Sequence, residues 1–335
     1  MTLRTNERKI MMTFEDKLQQ CIRNLERIDK PDHSRYHVYY FADFIELLAL
    51  ISGIDGISYG DVLDRFFGEP KEETNSEGHD KNESFLDGLF LLIEERINLY
   101  KEVYPFKKED DVISLKSDLS SDHKLYLFLL LSSSLTIFRS FNAELTTDFE
   151  TICYEAMKAY LPNAIVKEFG KNSEYTGNAR EKIMRLAEDI GLTTDDYEIQ
   201  QIGERNIQER GLDIVGWLPF KDNCSNLMIF LGQCACGKQF ESKQHDVRRF
   251  KHYYHFYRTE PQYTFFIPYS LINPSERKFY HSDLIEDDYL IFERMRILSL
   301  LKGNDSVYNN LNTKLLVEAC IKYPTPTFNR NEYRE

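Results

Sequence analysis

Residues 211–239 read GLDIVGWLPFKDNCSNLMIFLGQCACGKQ, and this stretch decides the fold. Two runs rich in apolar and β-branched residues, 211–217 and 227–235, flank a proline and a polar cluster of the kind that forms turns. The pattern predicts two neighbouring strands joined by a turn. Residues 239–257 follow as a predicted long helix, and residues 263–271 as a further strand.

Two polar residues interrupt the predicted strands. Asp213 lies between Leu212 and Ile214, and a carboxylate at such a position is costly to bury unless it is paired or binds a cation. Strand alternation places Gln233 near the end of the next strand, where it offers an amide oxygen. Oxygen donors at the ends of two neighbouring strands suit a hard divalent cation such as Mg²⁺. The structural alternatives are an ordinary hydrogen-bonding acid and a glutamine that satisfies backbone groups.

One lysine lies on the inward stripe of the predicted helix 239–257. At 100° per residue, Lys243 shares a stripe with Phe240, Val247 and Phe250, which should pack on the sheet. Such a lysine either extends to the edge of the sheet or directs its ammonium group into a polar site. In a polar site it could orient a water molecule or stabilise negative charge that develops on a phosphate.

The same segment carries a local basic patch in an acidic chain. The net charge of −13 excludes a generally basic coat, so contact with nucleic acid requires clustered lysine and arginine. The candidate residues for nucleic-acid binding are Lys238, Arg248, Arg249, Lys251 and Arg258. Aromatic residues interleave with them, which is compatible with phosphate-backbone contacts and also with a solvated outer face.

The rest of the chain predicts an α+β protein with a helical N-terminal half. Predicted helices cover residues 41–54, 84–100, 124–138 and 149–161, and the acidic segment 69–83 is predicted to be a solvated loop. After residue 173 the pattern predicts a helix at 179–191, a strand at 197–202 and a last helix at 289–301. The predicted units are a helical accessory domain at 1–165, a core at 173–272, and C-terminal helices with a tail at 273–335.

Composition argues against several classes of protein. The longest apolar run, residues 125–131, is far shorter than the ~20 residues that span a bilayer. The N-terminal residues lack the apolar segment of a secretion signal, and six scattered cysteines fit reduced thiols better than a disulfide framework. We therefore expect a cytoplasmic protein with no membrane partner. No G-x-S-x-G or C-x-x-C motif supports acyl-transfer or thiol-redox chemistry.

The predicted order over residues 173–272 is helix, three strands, helix, strand. With GLDIVGW on the second strand and GQCA on the third, it resembles the PD-(D/E)xK (restriction-endonuclease-like) nuclease superfamily. The resemblance implies an α-β-β-β-α-β core and metal-dependent hydrolysis of phosphodiesters, of DNA rather than RNA, with Mg²⁺ or Mn²⁺. Asp213 matches the Asp of the motif, and Gln233 falls on the (D/E) position, as in members that use Gln there. The resemblance implies that both residues bind the metal and that a lysine assists the nucleophile.

The chain departs from the family pattern at two positions. Leu212 precedes the Asp in place of Pro, and Ala235 stands where the strand lysine is expected. Some members carry that lysine on the following helix, which makes Lys243 the first candidate and Lys238 the second. Other members carry a supporting glutamate on the first helix. Glu181 is the nearest match for this metal ligand, although it lies opposite the apolar stripe of its helix.

Two other functions remain open. The missing strand lysine favours a catalytically inactive nucleic-acid-binding or scaffold protein that kept the fold. Gly232 to Lys238 also fits the G-x-x-x-x-G-K of a nucleotide-binding P-loop, but Gln239 replaces the Ser or Thr that binds Mg²⁺. In the resembling superfamily, a nuclease with a large extra helical domain often needs a protein partner. Such a partner would be an ATPase or helicase of a prokaryotic antiphage defence system.

Overall fold

The structure, a computed structural model, describes residues 12–27, 38–68, 76–170, 172–204, 211–222 and 224–323. In the first half, helices surround a small antiparallel sheet with the strand order β1-β3-β2. The helices are α1 (Phe14–Glu26), α2 (Val38–Ser52), α3 (Tyr59–Phe67), α4 (Ser76–Tyr100), α5 (Ser121–Ser132) and α6 (Asn142–Tyr160). The strands are β1 (Ile57–Ser58), β2 (Phe106–Glu109) and β3 (Val112–Leu115).

The second half is built on a five-stranded mixed sheet with the order β12-β9-β7-β6-β4. Its strands are β4 (Ile165–Glu168), β6 (Ile214–Leu218), β7 (Met228–Cys234), β9 (Gln262–Phe266) and β12 (Tyr289–Phe292), and two-stranded ladders join β5 (Thr193–Thr194) to β8 (Tyr254–His255) and β10 (Ile272–Asn273) to β11 (Lys278–Phe279). The helices are α7 (Ala179–Ile190), α8 (Asp196–Gln200), α9 (Phe250–Tyr253), α10 (Arg294–Leu301), α11 (Asp305–Asn309) and α12 (Lys314–Ile321). Among the described residues, no helix combines the length and apolarity needed to cross a bilayer.

Strand direction and side-chain alternation make this sheet the middle of three layers. β6 runs antiparallel to both β4 and β7, whereas β9 is parallel to β7 and β12 is parallel to β9. Ile214 and Phe230 pack into the hydrophobic core formed with the N-terminal helices. Val215 and Leu231 pack into the core formed with α7 and α9 on the other face. The chain is therefore a mixed α and β protein, in agreement with the α+β prediction.

The sequence predicted helix α7 and the two central strands correctly. The side-chain oxygen of Asn178 accepts a hydrogen bond from the backbone N–H of Glu181 at 3.1 Å, which caps the start of α7. Gly191 ends this helix at φ +76°, in the left-handed region that favours glycine. The predicted strands at 211–217 and 227–235 correspond to β6 and β7.

The predicted strand at 197–202 is wrong, because residues 197–200 belong to helix α8. Asp195 caps that helix by accepting a hydrogen bond from the backbone N–H of Glu198 at 3.1 Å. The first strand of the large sheet is instead β4, which precedes α7 in the chain. The helix that leads into the sheet is consequently α6 and not α7.

The predicted long helix at 239–257 is also wrong. Residues Phe240–Lys243 and Val247–Arg249 form 3-10 turns, and α9 contributes a single further turn. The chain then leaves helical geometry because Tyr254 and His255 pair with β5. The parallel strand that follows, β9, ends at Phe266 and is shorter than the predicted 263–271.

The predicted last helix at 289–301 is two separate elements. Its first four residues form β12 and pair with β9, so that only Arg294–Leu301 is helical. Glu293 caps α10 by accepting a hydrogen bond from the backbone N–H of Arg296 at 2.9 Å. The predicted loop at 69–83 is helical from Ser76 onward. Residues 69–75 and the tail from 324 to 335 lie outside the described residues.

A cluster of buried charges joins the N-terminal helices to α10. Asp43 and Glu46 on α2, Arg96 on α4 and Arg294 on α10 are each at most 2% exposed. Arg294 Nη2 lies 2.7 Å from Asp43 Oδ2, and Arg96 Nη1 lies 2.7 Å from Glu46 Oε1. Burial opposes ionisation of Asp43, but the two guanidinium groups hold its pKa below the ordinary value. The predicted domain boundary at residue 165 stays a prediction, and the ion pair between Arg294 and Asp43 joins residues on either side of it.

Replacing Arg294 with methionine should destabilise the whole fold. The change leaves the Asp43 carboxylate buried without one of its guanidinium partners, and breaking a buried pair in this way costs about 3–5 kcal/mol. Urea denaturation measures the free energy of unfolding. The control is Lys107→Met, which removes an exposed ion pair to Glu109 and should change stability little. An Arg294→Met variant as stable as the parent would contradict this assignment.

Candidate active site

A polar cavity of about 720 Å³ opens where β6 begins and β7 ends. Its lining comes from α6, from the residues before β6, from β7 and from the 3-10 turns that follow β7. The charged and amide-bearing lining residues are Asn142, Glu150, Asp213, Gln233, Lys243, Asp246 and Arg249. The structure therefore brings Asp213, Gln233 and Lys243 to one cavity.

Backbone hydrogen bonds hold Asp213 from both sides. Its N–H donates to the carbonyl of Gly232 at 2.9 Å, and its carbonyl accepts from the N–H of Phe169 at 2.7 Å. Its carboxylate Oδ2 accepts from the backbone N–H of Cys234 at 2.7 Å. Because β7 and the end of β4 both bind this residue, the carboxylate has a fixed direction at the cavity wall.

A second carboxylate, Glu150 of α6, lies beside Asp213. A Cβ atom built on Gly170 would lie 2.9 Å from Glu150 Oε2 and 3.2 Å from Asp213 Oδ1. Because both oxygens lie this close to one point, their separation cannot exceed the sum of these two distances. Glu150 was not predicted as a site residue, because the sequence pattern favoured α7 as the helix that leads into the sheet. The sequence feature that could have identified Glu150 is its position on the predicted helix 149–161, the last helix before β4.

Gln233 carries a buried polar atom without a partner. Its side chain is 4% exposed, and no described residue forms a hydrogen bond with its Oε1. Leaving a buried acceptor unsatisfied costs about 1–3 kcal/mol, and buried polar groups in folded proteins are normally paired. Because Gln233 lines the cavity, a group bound there, either a water molecule or a cation, would satisfy this oxygen.

The oxygen atoms around the cavity fit a hard divalent cation. The carboxylates of Glu150 and Asp213 and the amide oxygen of Gln233 are ligand types that Mg²⁺ and Mn²⁺ prefer. Among the described residues, no group of three or more His, Cys, Asp or Glu side chains is arranged as a metal site. A cation bound by two carboxylates and a neutral amide would therefore depend on water and phosphate for its remaining ligands.

Thiols at the cavity do not compete for such a cation. Burial raises the pKa of the Cys234 and Cys236 thiols well above the ordinary value, and the neighbouring carboxylates of Glu150 and Asp213 also raise it. The thiols stay protonated at neutral pH, whereas metals bind the thiolate form. The chemistry of the cavity is therefore that of oxygen ligands.

Cationic side chains line the cavity on the side of the 3-10 turns. Lys243 ends the first turn and is exposed, and Arg249 ends the second. Arg249 Nη2 lies 2.6 Å from Asp246 Oδ1, and this ion pair orients the guanidinium group. Lys243 was expected here from the inward stripe of a long helix. A turn brings it to the cavity instead.

The structure does not bring Glu181 to the cavity. Its carboxylate accepts a hydrogen bond from the backbone N–H of Asn178 at 2.8 Å and so completes the capping box of α7. Lys238 lines a neighbouring cavity, next to Lys243.

The remaining basic residues of the predicted patch also lie outside the lining of this cavity. Arg248 donates a hydrogen bond to a backbone carbonyl at 2.9 Å. Lys251 Nζ lies 2.9 Å from Glu260 Oε2, and the guanidinium of Arg258 lies 5.7 Å from the ring centre of Tyr257. Of the predicted nucleic-acid-binding residues, Arg249 is the one whose side chain reaches the cavity.

Comparisons with known proteins give little beyond this geometry. No family model matches the chain, and no curated protein matches it. Among solved structures, the chain is similar to the MspJI restriction endonuclease in complex with a 27-mer oligonucleotide, with 10% identity and a TM-score of 0.30. The match covers 62% of this chain and 39% of that one. A likeness at this level carries no argument about fold or activity.

Replacing Gln233 with methionine should stabilise the protein in the absence of divalent metal. Methionine is similar in size and removes a buried oxygen that has no partner, so we expect a gain of about 1–3 kcal/mol in the free energy of unfolding. The matched control is Gln244→Met. Gln244 is also buried, but its Oε1 accepts from the backbone N–H of Glu286 at 3.1 Å, so this change should destabilise. Equal losses in both variants would show that Gln233 is an ordinary structural glutamine.

Proposed function

We propose that the protein is a metal-dependent nuclease that hydrolyses phosphodiester bonds, of DNA in preference to RNA. One observation carries the proposal. Gln233, whose buried Oε1 has no hydrogen-bond partner in the described part of the chain, lines a cavity that is also lined by Asp213 and Glu150. A protein that keeps such an atom loses stability, and a binding site is a reason to retain it.

The proposed cofactor is Mg²⁺ or Mn²⁺, held by Asp213 and Gln233 with Glu150 as the supporting carboxylate. When bound, the cation would stabilise the charge on the phosphate and make a water molecule more acidic. The backbone bonds to Asp213 keep its carboxylate in place without a side-chain rearrangement. Because Gln233 is neutral, the site has one negative charge fewer than a site with three carboxylates. Affinity for the free metal should consequently be weak and should increase when a phosphate is present.

The cationic side chains have separate proposed roles. Lys243 lies on an exposed turn beside the carboxylates, where its ammonium group can position the attacking water and stabilise negative charge on the phosphate. Arg249, held by Asp246, presents a guanidinium group suited to the planar, bidentate binding of phosphate oxygens. They are the two cationic side chains among the described residues that line the cavity.

The order of elements supports a restriction-endonuclease-like core, but its first helix and first strand differ from those that the sequence predicted. The sequence α6, β4, β6, β7, the turns ending in α9, and β9 follows the α-β-β-β-α-β order. In this alignment Glu150 of α6, and not Glu181 of α7, takes the place of the glutamate on the first helix. The segment from Ala179 to Gln200 then becomes an insertion between the first two strands of the core.

The second candidate is a catalytically inactive nucleic-acid-binding or scaffold protein. Ala235, where the resemblance expects the strand lysine, is the observation that favours it.

The P-loop alternative loses its basis, because Lys238 is followed by a 3-10 turn of four residues where a nucleotide-binding helix should begin. A role in antiphage defence beside an ATPase or helicase stays a prediction that rests on the resemblance.

Asp213→Asn should abolish Mg²⁺- or Mn²⁺-dependent cleavage of DNA, because it removes the fixed charge that would hold the cation. Lys243→Ala should reduce the cleavage rate roughly 10²- to 10³-fold, the loss that is typical when one preorganised electrostatic group is removed. The measurement is release of labelled fragments from single- and double-stranded DNA. Asp222→Asn, the same change in an exposed turn, is the control and should cleave normally. Unchanged cleavage in both site variants rejects the site, and an inactive parent favours the scaffold alternative.

A matched pair of glutamate variants separates the two candidate positions on helices. Glu150→Gln should lower the cleavage rate roughly 10- to 100-fold, the scale of losses for residues that support a metal site. Glu181→Gln should leave the rate unchanged, because its carboxylate only caps α7. Rates at saturating metal, together with the metal concentration that gives half the maximal rate, provide the measurement. The reverse result would restore the assignment of Glu181.

A further inference from the structure

A second cavity of about 830 Å³ adjoins the first. The two cavities share Leu135, Cys236, Gly237 and Lys243 as lining residues, so they are neighbouring compartments of one groove. One wall of the groove consists of the residues that follow α5, together with Tyr40 of α2. The opposite wall is the segment from the end of β7 to the first 3-10 turn.

The two compartments differ in charge. The first contains the carboxylates of Glu150, Asp213 and Asp246. Among the described residues that line the second, Glu241 is the single acid, and burial raises the pKa of its carboxyl group. Hydroxyl, amide and ammonium groups make up the rest of its polar lining, from Tyr40, Ser133, Thr136, Lys238, Gln239 and Ser242. The hydroxyls of Tyr40, Ser133 and Ser242 already donate to protein oxygens. The groups of this lining that suit an anion are therefore the ammonium groups of Lys238 and Lys243, with Thr136 and Gln239 as polar neighbours.

Lys238 is held at the wall of the second compartment. The hydroxyl of Tyr40 donates to the backbone carbonyl of Lys238 at 2.8 Å, and the ammonium Nζ lies 5.5 Å from the centre of the Tyr40 ring. Burial lowers the pKa of this lysine, since a partly desolvated ammonium loses contact with water, and the carboxylate of Asp43 opposes that shift. A phosphate group beside the ammonium would add a further negative charge and favour the charged lysine.

We propose that the second compartment binds the phosphate of the nucleotide next to the scissile phosphodiester, with Lys238 as its counter-charge. This inference rests on the proposed nuclease function and extends it to a second substrate position. Each compartment has a volume within the range of about 300–1,000 Å³ that is usual for small-ligand sites, which is sufficient for one nucleotide. Lys243, which lines both compartments, lies at the boundary between the two phosphate positions.

The test compares two substrates that differ in the number of phosphates. Thymidine 5′-(p-nitrophenyl phosphate) has one phosphodiester and can occupy only the first compartment, whereas an oligothymidylate fills both. Lys238→Gln should lower kcat/KM for the oligothymidylate roughly tenfold or more, the scale of one lost hydrogen bond to a charged group. It should leave kcat/KM for the single-phosphate substrate unchanged. Equal losses on both substrates, or no loss on either, would overturn the proposal.

Controls separate this proposal from the nuclease function and from misfolding. Lys238→Arg keeps the charge and should retain most of the activity. If Lys238→Gln proves unstable, Lys238→Met also removes the charge but leaves an apolar side chain that can pack on the Tyr40 ring. Lys107→Gln removes an exposed lysine on β2 and should behave as the parent on both substrates. Loss of activity in Asp213→Asn on both substrates reports on the nuclease function alone.

A binding experiment tests the second compartment even if the parent cleaves neither substrate. The dependence of oligothymidylate affinity on salt, followed by fluorescence anisotropy in EDTA, counts the phosphates that the protein neutralises. On single strands the slope of log K against log salt concentration changes by about 0.7 for each phosphate contact. Lys238→Gln should reduce the slope by that amount. Identical slopes for Lys238→Gln and the parent protein would overturn the proposal.

Discussion

The pairing of β6 with β7 is the constraint on which the candidate site depends. Asp213 enters this ladder one residue before β6 and binds β7 through both its backbone N–H and its carboxylate, at Gly232 and Cys234. Gly232 lets β7 lie close to both neighbouring strands, because a Cβ there would lie 3.2 Å from the backbone oxygen of Ile214 on β6 and 2.8 Å from Thr264 Oγ1 on β9. Gln233 lies between the two contact positions on β7. A shift of one residue in register would turn these side chains to the opposite faces of the sheet.

The elements packed on the two faces of the sheet supply the remaining residues of the candidate site. Helix α6 packs against the sheet and brings Glu150 to the cavity, while the turns after β7 contribute Lys243 and Arg249 from the other direction. The buried ion pair between Arg294 of α10 and Asp43 of α2 joins the C-terminal half to the N-terminal helices. The residues that follow α5, together with Tyr40 of α2, form one wall of the groove. The N-terminal half therefore packs on the sheet and also contributes residues to the lining of the groove.

Sequence patterns predicted the centre of the site better than its surroundings. The strands β6 and β7 were visible because long apolar runs flank a clear turn, and strand alternation identified Asp213 and Gln233. β4 was missed because its four residues, IVKE, lie at the sheet edge and alternate weakly. Without that strand, the helix predicted at 149–161 was not recognised as the one that leads into the sheet, and Glu150 was therefore missed. The helix predicted at 239–257 failed because pairing of Tyr254 with β5, a contact distant in sequence, overrides local helical periodicity.

The most direct test is to locate manganese by anomalous X-ray scattering in crystals of the protein soaked with Mn²⁺ and a non-cleavable phosphorothioate oligonucleotide. We expect a peak within coordination distance of Asp213 and of the Gln233 amide oxygen, with Glu150 as a ligand to the ion or to its water. A well-ordered crystal in which Mn²⁺ binds elsewhere, and in which the Gln233 oxygen contacts only protein groups, would contradict the assignment of this cavity as a metal-dependent active site.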